Sequence, residues 1–332
     1  MKRLERIIRT GWTADPGRGA RGTARLFGSL TELRIRLYDR GTLPSRRAPI
    51  PIVSVGGLTV GGSGKTPIAA QLARWLAAAG RRPAIITRGY ADELEVHRRL
   101  APAAVVVGHK DRIEAARAAA EQGAGVGILD DGFQTLRVAR ELDVLLVDID
   151  ATVRTNGRLL PAGPFREPLS AARRADFVAL TGRAVSEKEM ETAASRLREL
   201  KVEAPIGRVS ILPGDLLAFN AAADVARPAR PFALTTVMKP RLFFGQLRAI
   251  GIEPAELIPL SDHAVPDRET LTRVAAAGSR GGVVCTLKDA VKLVGRLADE
   301  IPIWYVADEI HWHAGREQLH DLLLQVAEPV RA

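Results

Sequence analysis

VSVGGLTVGGSGKTPIA, residues 53–69, decides the architecture of this chain. It reads as the end of a buried strand (PIVSVG, 51–56), a glycine-rich loop, and a helix running to about Ala79. The eight residues ending in Gly-Lys-Thr are Thr59, Val60, Gly61, Gly62, Ser63, Gly64, Lys65 and Thr66. The strict phosphate-loop pattern begins with Gly where this chain has Thr59. Gly61, Gly62 and Gly64 still supply the backbone freedom that turns successive amides toward phosphate oxygens. In such a loop Lys65 reaches the β- and γ-phosphates, Thr66 ligates Mg²⁺, and the helix adds the positive end of its dipole. The plainer alternative is a strand-to-helix turn with no ligand; Gly-Lys-Thr set between a buried strand and a helix favours a nucleoside triphosphate. The loop does not say what receives the phosphate, because kinases, GTPases, motors and metallochaperones all use it.

Outward from the loop, strands alternate with helical stretches. AIITRG (84–89), AAVVVG (103–108), GVGILD (125–130), DVLLVD (143–148) and DFVALTG (176–182) are short apolar runs, and RIEAARAAAEQ is a helix between two of them. Strands buried on both faces with helices between them predict a P-loop NTPase-type α/β fold, a doubly wound and mostly parallel sheet. The Pro-, Gly- and Ala-rich stretch 206–231 reads as a linker with short antiparallel strands. PFALTTV, ELIPL, GVVCTL and IPIWYVAD then repeat the alternation in a second, smaller α/β domain. The expected organisation is a basic segment at 1–45, a P-loop domain at 46–205, the linker, and a C-terminal domain at 232–332.

The net charge of +10 is concentrated at the start of the chain: residues 1–50 hold 12 Lys/Arg against 4 Asp/Glu. Leu26, Leu30, Leu33 and Leu37 share one stripe of a helix there, with Arg25, Arg34, Arg36 and Arg40 off it. Such a helix suits an anionic membrane surface. A helix docked on its own domain with a solvated basic face is the alternative. Nucleic acid is not expected as a partner, because no aromatic residues interleave with the basic ones as stacking platforms. No apolar run reaches the roughly 18–20 residues that span a bilayer. The N-terminal MKRLERIIRTGW has no secretory core, and the single Cys285 excludes an internal disulfide. The expected compartment is the cytoplasm.

A phosphate loop needs an acidic partner for its metal at the end of a neighbouring strand. GILDD offers Asp130 and Asp131, and LLVDID offers Asp148. Asp130 and Asp131 are favoured, since adjacent carboxylates at a turn are costly unless a cation neutralises them.

VGGLTVGGSGKTP (55–67), TRGY (87–90), ILDDGFQ (128–134), LLPAGPFREPL (159–169) and RADFVALTG (174–182) occur in series, followed by FFGQLRAIGIE (243–253), PLSDH (259–263) and TLKDAVKL (286–293). In that order they resemble the tetraacyldisaccharide 4′-kinases of lipid A biosynthesis, over about residues 25 to 310. The resemblance implies ATP and Mg²⁺ as cofactors. It implies γ-phosphate transfer to the 4′-hydroxyl of an acylated disaccharide 1-phosphate, at the inner face of the cytoplasmic membrane. It also implies a catalytic base, aligned here with Asp92, and a histidine that orients it, aligned with His263 in the second domain. Taken without the resemblance, Asp92 is a helix N-cap and His263 a turn residue.

The chain departs from the family's pattern in several places. The loop after Tyr90 is short, Ala91 replaces a Gly, and Thr135 and Ala264 stand where the family usually has His. VMKP (237–240) replaces a glycine-containing turn, and Leu287 stands in place of Glu. Arg88 and Arg166 are candidates for contact with substrate phosphates; an ion pair with a nearby carboxylate is the alternative for Arg166. A P-loop ATPase or GTPase switch or metallochaperone is the second functional reading, but the chain has neither N-K-x-D nor clustered Cys/His ligands.

Overall fold

The computed structural model describes residues 16–183, 185–220, 227–228, 230–237, 240–260, 264, 266–298 and 300–327. They divide into two compact units, 16–210 with 310–327, and 211–309.

In the larger unit the elements follow one another as helix α1 (Arg18–Asp39), β1 (Ile52–Gly57), α2 (Lys65–Ala78), β2 (Pro83–Thr87), α3 (Ala91–Leu100), β3 (Val105–Gly108), α4 (Arg112–Glu121) and β4 (Val126–Asp130). β5 (Leu142–Asp148), α5 (Ile149–Thr155), a 3₁₀ turn (Leu169–Arg174), β6 (Phe177–Gly182), α6 (Glu187–Glu199) and the start of β7 (Ile206–Ala218) complete the series. The strand order is β3-β2-β4-β1-β5-β6-β7, and every neighbouring pair in this unit is parallel. β1, β2, β4 and β5 are buried along their whole length, as a parallel sheet covered by helices on both faces requires.

The smaller unit carries β8 (Phe232–Thr235), α7 (Pro240–Ala249), β9 (Glu256–Pro259), α8 (Arg268–Gly281), β10 (Val283–Thr286), α9 (Leu287–Leu293) and most of β11 (Ile303–Ala314). Its order β11-β10-β8-β9 is also parallel. The last helix, α10 (Arg316–Val326), returns to the larger unit, where Trp312 and His320 meet Trp75 of α2 at ring-centroid distances of 6.0 and 5.6 Å.

Two expectations about organisation are corrected. The first half of the stretch read as a linker with short antiparallel strands, 206–218, is one 13-residue strand, β7, whose first residues pair parallel with β6. Its Pro and Gly content hid an alternation that survives in the buried Gly207, Val209 and Ile211 and breaks around Pro213 and Gly214. Residues 310–327 belong with the P-loop unit rather than with the C-terminal one, because Leu319 and Leu323 bury an apolar stripe there.

Helix α1 docks by its small residues, not by its leucines. Ala24 is buried, and a Cβ on Gly28 would come within 2.6 Å of Leu159. Arg34 donates to the Gln134 carbonyl at 3.1 Å. Leu26, Leu30 and Leu33 are left 62%, 58% and 54% exposed, an apolar stripe that no described residue covers. Leu37 is half-buried. Among the described residues no helix is long and apolar enough to cross a membrane.

Candidate active site

In the order β4-β1-β5 the phosphate loop follows the central strand and the acidic candidates follow its two neighbours. The C-terminal edge of such a sheet is where ligands bind. Gly61 and Gly64 take φ of 80° and 82°, the left-handed region that favours glycine. A Cβ on Gly62 would meet nothing within 4 Å, so the cradle is open there.

Thr59 fits the loop because its position is extended backbone. It forms an antiparallel bridge with Phe165 and is 2% exposed. On either side, Val60 N–H donates to Pro164 O at 2.9 Å and Arg166 N–H to Leu58 O at 2.7 Å. The AGPFREP segment is thus stitched to the entrance of the loop. One expected phosphate donor, the Val60 amide, is therefore already committed to protein, and the Ser63 amide donates to Gly61 O at 2.8 Å. Gly64 caps α2, so the amides of Gly64, Lys65 and Thr66 lie at a helix start where no intrahelical partner exists.

The side chains converge at this point. Thr66 Oγ1 donates to Asp130 Oδ2 at 3.0 Å, and Lys65 Nζ lies 3.8 Å from Asp131 Oδ1. Burial drives the Lys65 pKa down, and the Asp131 charge opposes that shift. Arg166 grips Asp131 with two bonds of 2.8 and 2.7 Å and donates a third, at 2.8 Å, to Gly57 O. Burial pushes the Asp131 carboxyl up. The Arg166 hydrogen bonds and the charges of Lys65, Arg166 and Arg88 outweigh it and hold the group well below the usual carboxylate range. Asp131 sits at φ 56°, which Asp tolerates better than most residues. The turn is fixed from below: Gly132 N–H donates to Val55 O at 3.0 Å, and a Cβ on Gly56 would lie 2.5 Å from Phe133.

The sequence candidates thus separate. Lys65, Thr66, Asp130, Asp131 and Arg166 come together. Asp148 caps α5, accepting from Ala151 N–H at 3.0 Å, and lies near enough to Lys65 for its charge to act there. The Arg166 fork is occupied by Asp131 and Gly57 O, the ion pair that the sequence left as the alternative to a phosphate contact. Arg88 is exposed just past β2, near enough to Asp131 for its charge to act there. Asp92 is half-buried in the first turn of α3, one residue inside the helix; the N-cap is Tyr90, so the N-cap reading of Asp92 does not hold. His263 lies outside the described residues.

Three further features escaped the sequence. His97 is fully buried, with Nε2 2.8 Å from Asp130 Oδ2. Gln134 Nε2 donates to Gly57 O at 3.1 Å. Glu167, 2% exposed, pairs with Arg174 at 2.8 Å, and Arg174 stacks over the Phe133 ring at 4.5 Å. Only the last had a local signal, since the prolines flanking Phe165-Arg166-Glu167 mark a rigid segment.

The family model for tetraacyldisaccharide-1-P 4′-kinase matches residues 21–103 and 96–328. The chain belongs to the tetraacyldisaccharide 4′-kinase family. A family member from Geobacter sulfurreducens is 36% identical over 313 residues, 85% of each chain. One from Anaeromyxobacter dehalogenans is 38% identical over 305 residues, covering 82% of this chain and 80% of that one. Among solved structures, the "apo" form of LpxK from Aquifex aeolicus in complex with ATP superposes with a TM-score of 0.71 at 26% identity, over 92% of this chain and 98% of that one. The match therefore runs further at both ends than the motifs alone marked out. Of the departures from the family's pattern, Thr135 closes a turn, its N–H donating to Gly132 O at 2.7 Å. Leu287 opens α9 as a buried residue.

Proposed function

We propose that this protein is an ATP-dependent kinase that transfers the γ-phosphate to the 4′-hydroxyl of a tetraacyldisaccharide 1-phosphate, giving the 1,4′-bisphosphate. One observation carries the reading. In a chain of this family, an open glycine cradle presents Lys65 beside Asp131 and pairs Thr66 with Asp130.

The residues fit a magnesium ion. A hydroxyl that gives its proton to a carboxylate keeps its lone pairs for a cation, and Thr66 does so with Asp130. Asp130 Oδ1 is buried and has no hydrogen-bond partner, an arrangement that is costly unless a cation or ligand satisfies it. Thr66 and Asp130 are accordingly the residues to hold it, with Asp131 committed to Arg166 and Lys65. Magnesium bound there would neutralise charge on the β- and γ-oxygens.

The rest falls to the protein. Gly64, Lys65 and Thr66 offer amides and the Lys65 ammonium to the phosphates. Arg88 adds positive charge at the same edge. Asp92 follows β2, the strand beside β4, and is the candidate base for the acceptor hydroxyl, with His263 as its orienting partner. The exposed Leu26, Leu30 and Leu33, flanked by Arg25, Arg34 and Arg36, suit the headgroup boundary of an anionic membrane, where an acylated acceptor lies. A peripheral position on the cytoplasmic face of that membrane is part of the same proposal.

The test is ATP consumption by the purified chain with and without the acylated disaccharide 1-phosphate. Turnover that requires the acceptor is expected. Turnover indifferent to it would favour a P-loop switch.

A further inference from the structure

We propose that His97 is a positioning residue that fixes the Asp130 carboxylate for magnesium; the inference rests on the nucleotide-site reading above and deepens it. Helix α3 begins four residues after β2 ends and carries His97 under the end of β4. Val96 and His97 are its buried residues. Burying an imidazole costs free energy that an apolar side chain at the same place does not incur. What the ring adds is a donor: Nε2 stands 2.8 Å from Asp130 Oδ2, and Nδ1 has no partner.

The same oxygen accepts from Thr66 at 3.0 Å. Two donors from different helices, α2 and α3, therefore converge on Oδ2 and remove the carboxylate's rotational freedom. The orphaned, buried Oδ1 is held in a single direction. His97 touches neither nucleotide nor metal in this scheme. It acts through Asp130, as a partner of a ligand acts on the ligand's orientation and basicity. A freely rotating Asp130 must be ordered when the cation binds, and that ordering lowers affinity.

The experiment uses the full chain and calorimetric ATP affinity, measured with magnesium and with EDTA. Wild type is expected to gain affinity from magnesium. His97→Leu is expected to keep the EDTA affinity and lose about 10–100-fold of the magnesium-dependent gain. His97→Gln, which can still donate, is expected to recover most of it, while thermal melting confirms that both variants fold. A merely space-filling histidine would be replaced as well by Leu as by Gln. The inference is overturned if His97→Leu keeps the full magnesium gain, if both affinities fall together, or if Gln does no better than Leu. A wild type indifferent to magnesium would overturn the site reading along with it. Should His97→Leu not fold, ¹⁵N-histidine spectra of wild type decide. A protected Nε2 proton that shifts when magnesium is added to the ADP complex is expected, and its absence overturns the proposal.

Discussion

Replacing Arg166 by Ala tests how the acidic turn is held. The change removes two hydrogen bonds to Asp131, at 2.8 and 2.7 Å, and one to Gly57 O at 2.8 Å. A hydrogen bond involving a charged group is worth about 1.5–3 kcal/mol. The Arg166 and Asp131 side chains are 21% and 31% exposed, so water recovers part of that. The net loss of stability should be about 2–4 kcal/mol. Its pH dependence has a definite sign. Asp131 is held below its ordinary range in the folded state, so its contribution is complete above the unfolded carboxylate value of about 3.9 and is lost as pH falls toward the folded value. The gap between wild type and Arg166→Ala should be full at pH 7. Below about pH 4 it should shrink by up to about 1.4 kcal/mol per unit. Urea unfolding followed by circular dichroism across that range measures it. A gap under about 0.5 kcal/mol at neutral pH, or one that persists unchanged into acid, would refute the reasoning.

Three further outcomes are expected. Gly56→Ala places a methyl 2.5 Å from the Phe133 backbone nitrogen and should cost about 1–3 kcal/mol, with weakened nucleotide binding as the Asp130–Asp131 turn shifts; an unchanged melting temperature would contradict the packing. Changing Leu26, Leu30 and Leu33 together to Glu should abolish sedimentation with anionic vesicles while ATP affinity stays constant, because these side chains are exposed and α1 docks through Ala24 and Gly28. Asp92→Ala should lower the transfer rate by about 10²-fold or more with little effect on ATP affinity; a change confined to acceptor affinity would remove it from the role of base.

Much of this was legible in the sequence, for identifiable reasons. β1, β4 and β5 are short apolar runs buried on both faces, so their hydrophobicity alone announces a parallel sheet. The Lys65 and Thr66 positions follow from a loop whose glycines do one physical task. β7 was hidden because it is half-exposed along much of its length and carries Pro213 and Gly214. The docking face of α1 was hidden because small residues such as Ala24 and Gly28 give no hydrophobic signal, whereas the conspicuous Leu26, Leu30 and Leu33 are exposed. His97 and the Asp131–Arg166 pair join residues 33 and 35 positions apart, and only the folded chain brings such partners together.

The central claim is tested most directly by following ³²P from γ-labelled ATP into purified tetraacyldisaccharide 1-phosphate, with wild type and with Lys65→Ala. The account predicts label at the 4′-position with wild type and none above background with the variant, both proteins being folded. Transfer that survives in Lys65→Ala, or wild-type hydrolysis that never labels the lipid, would contradict it.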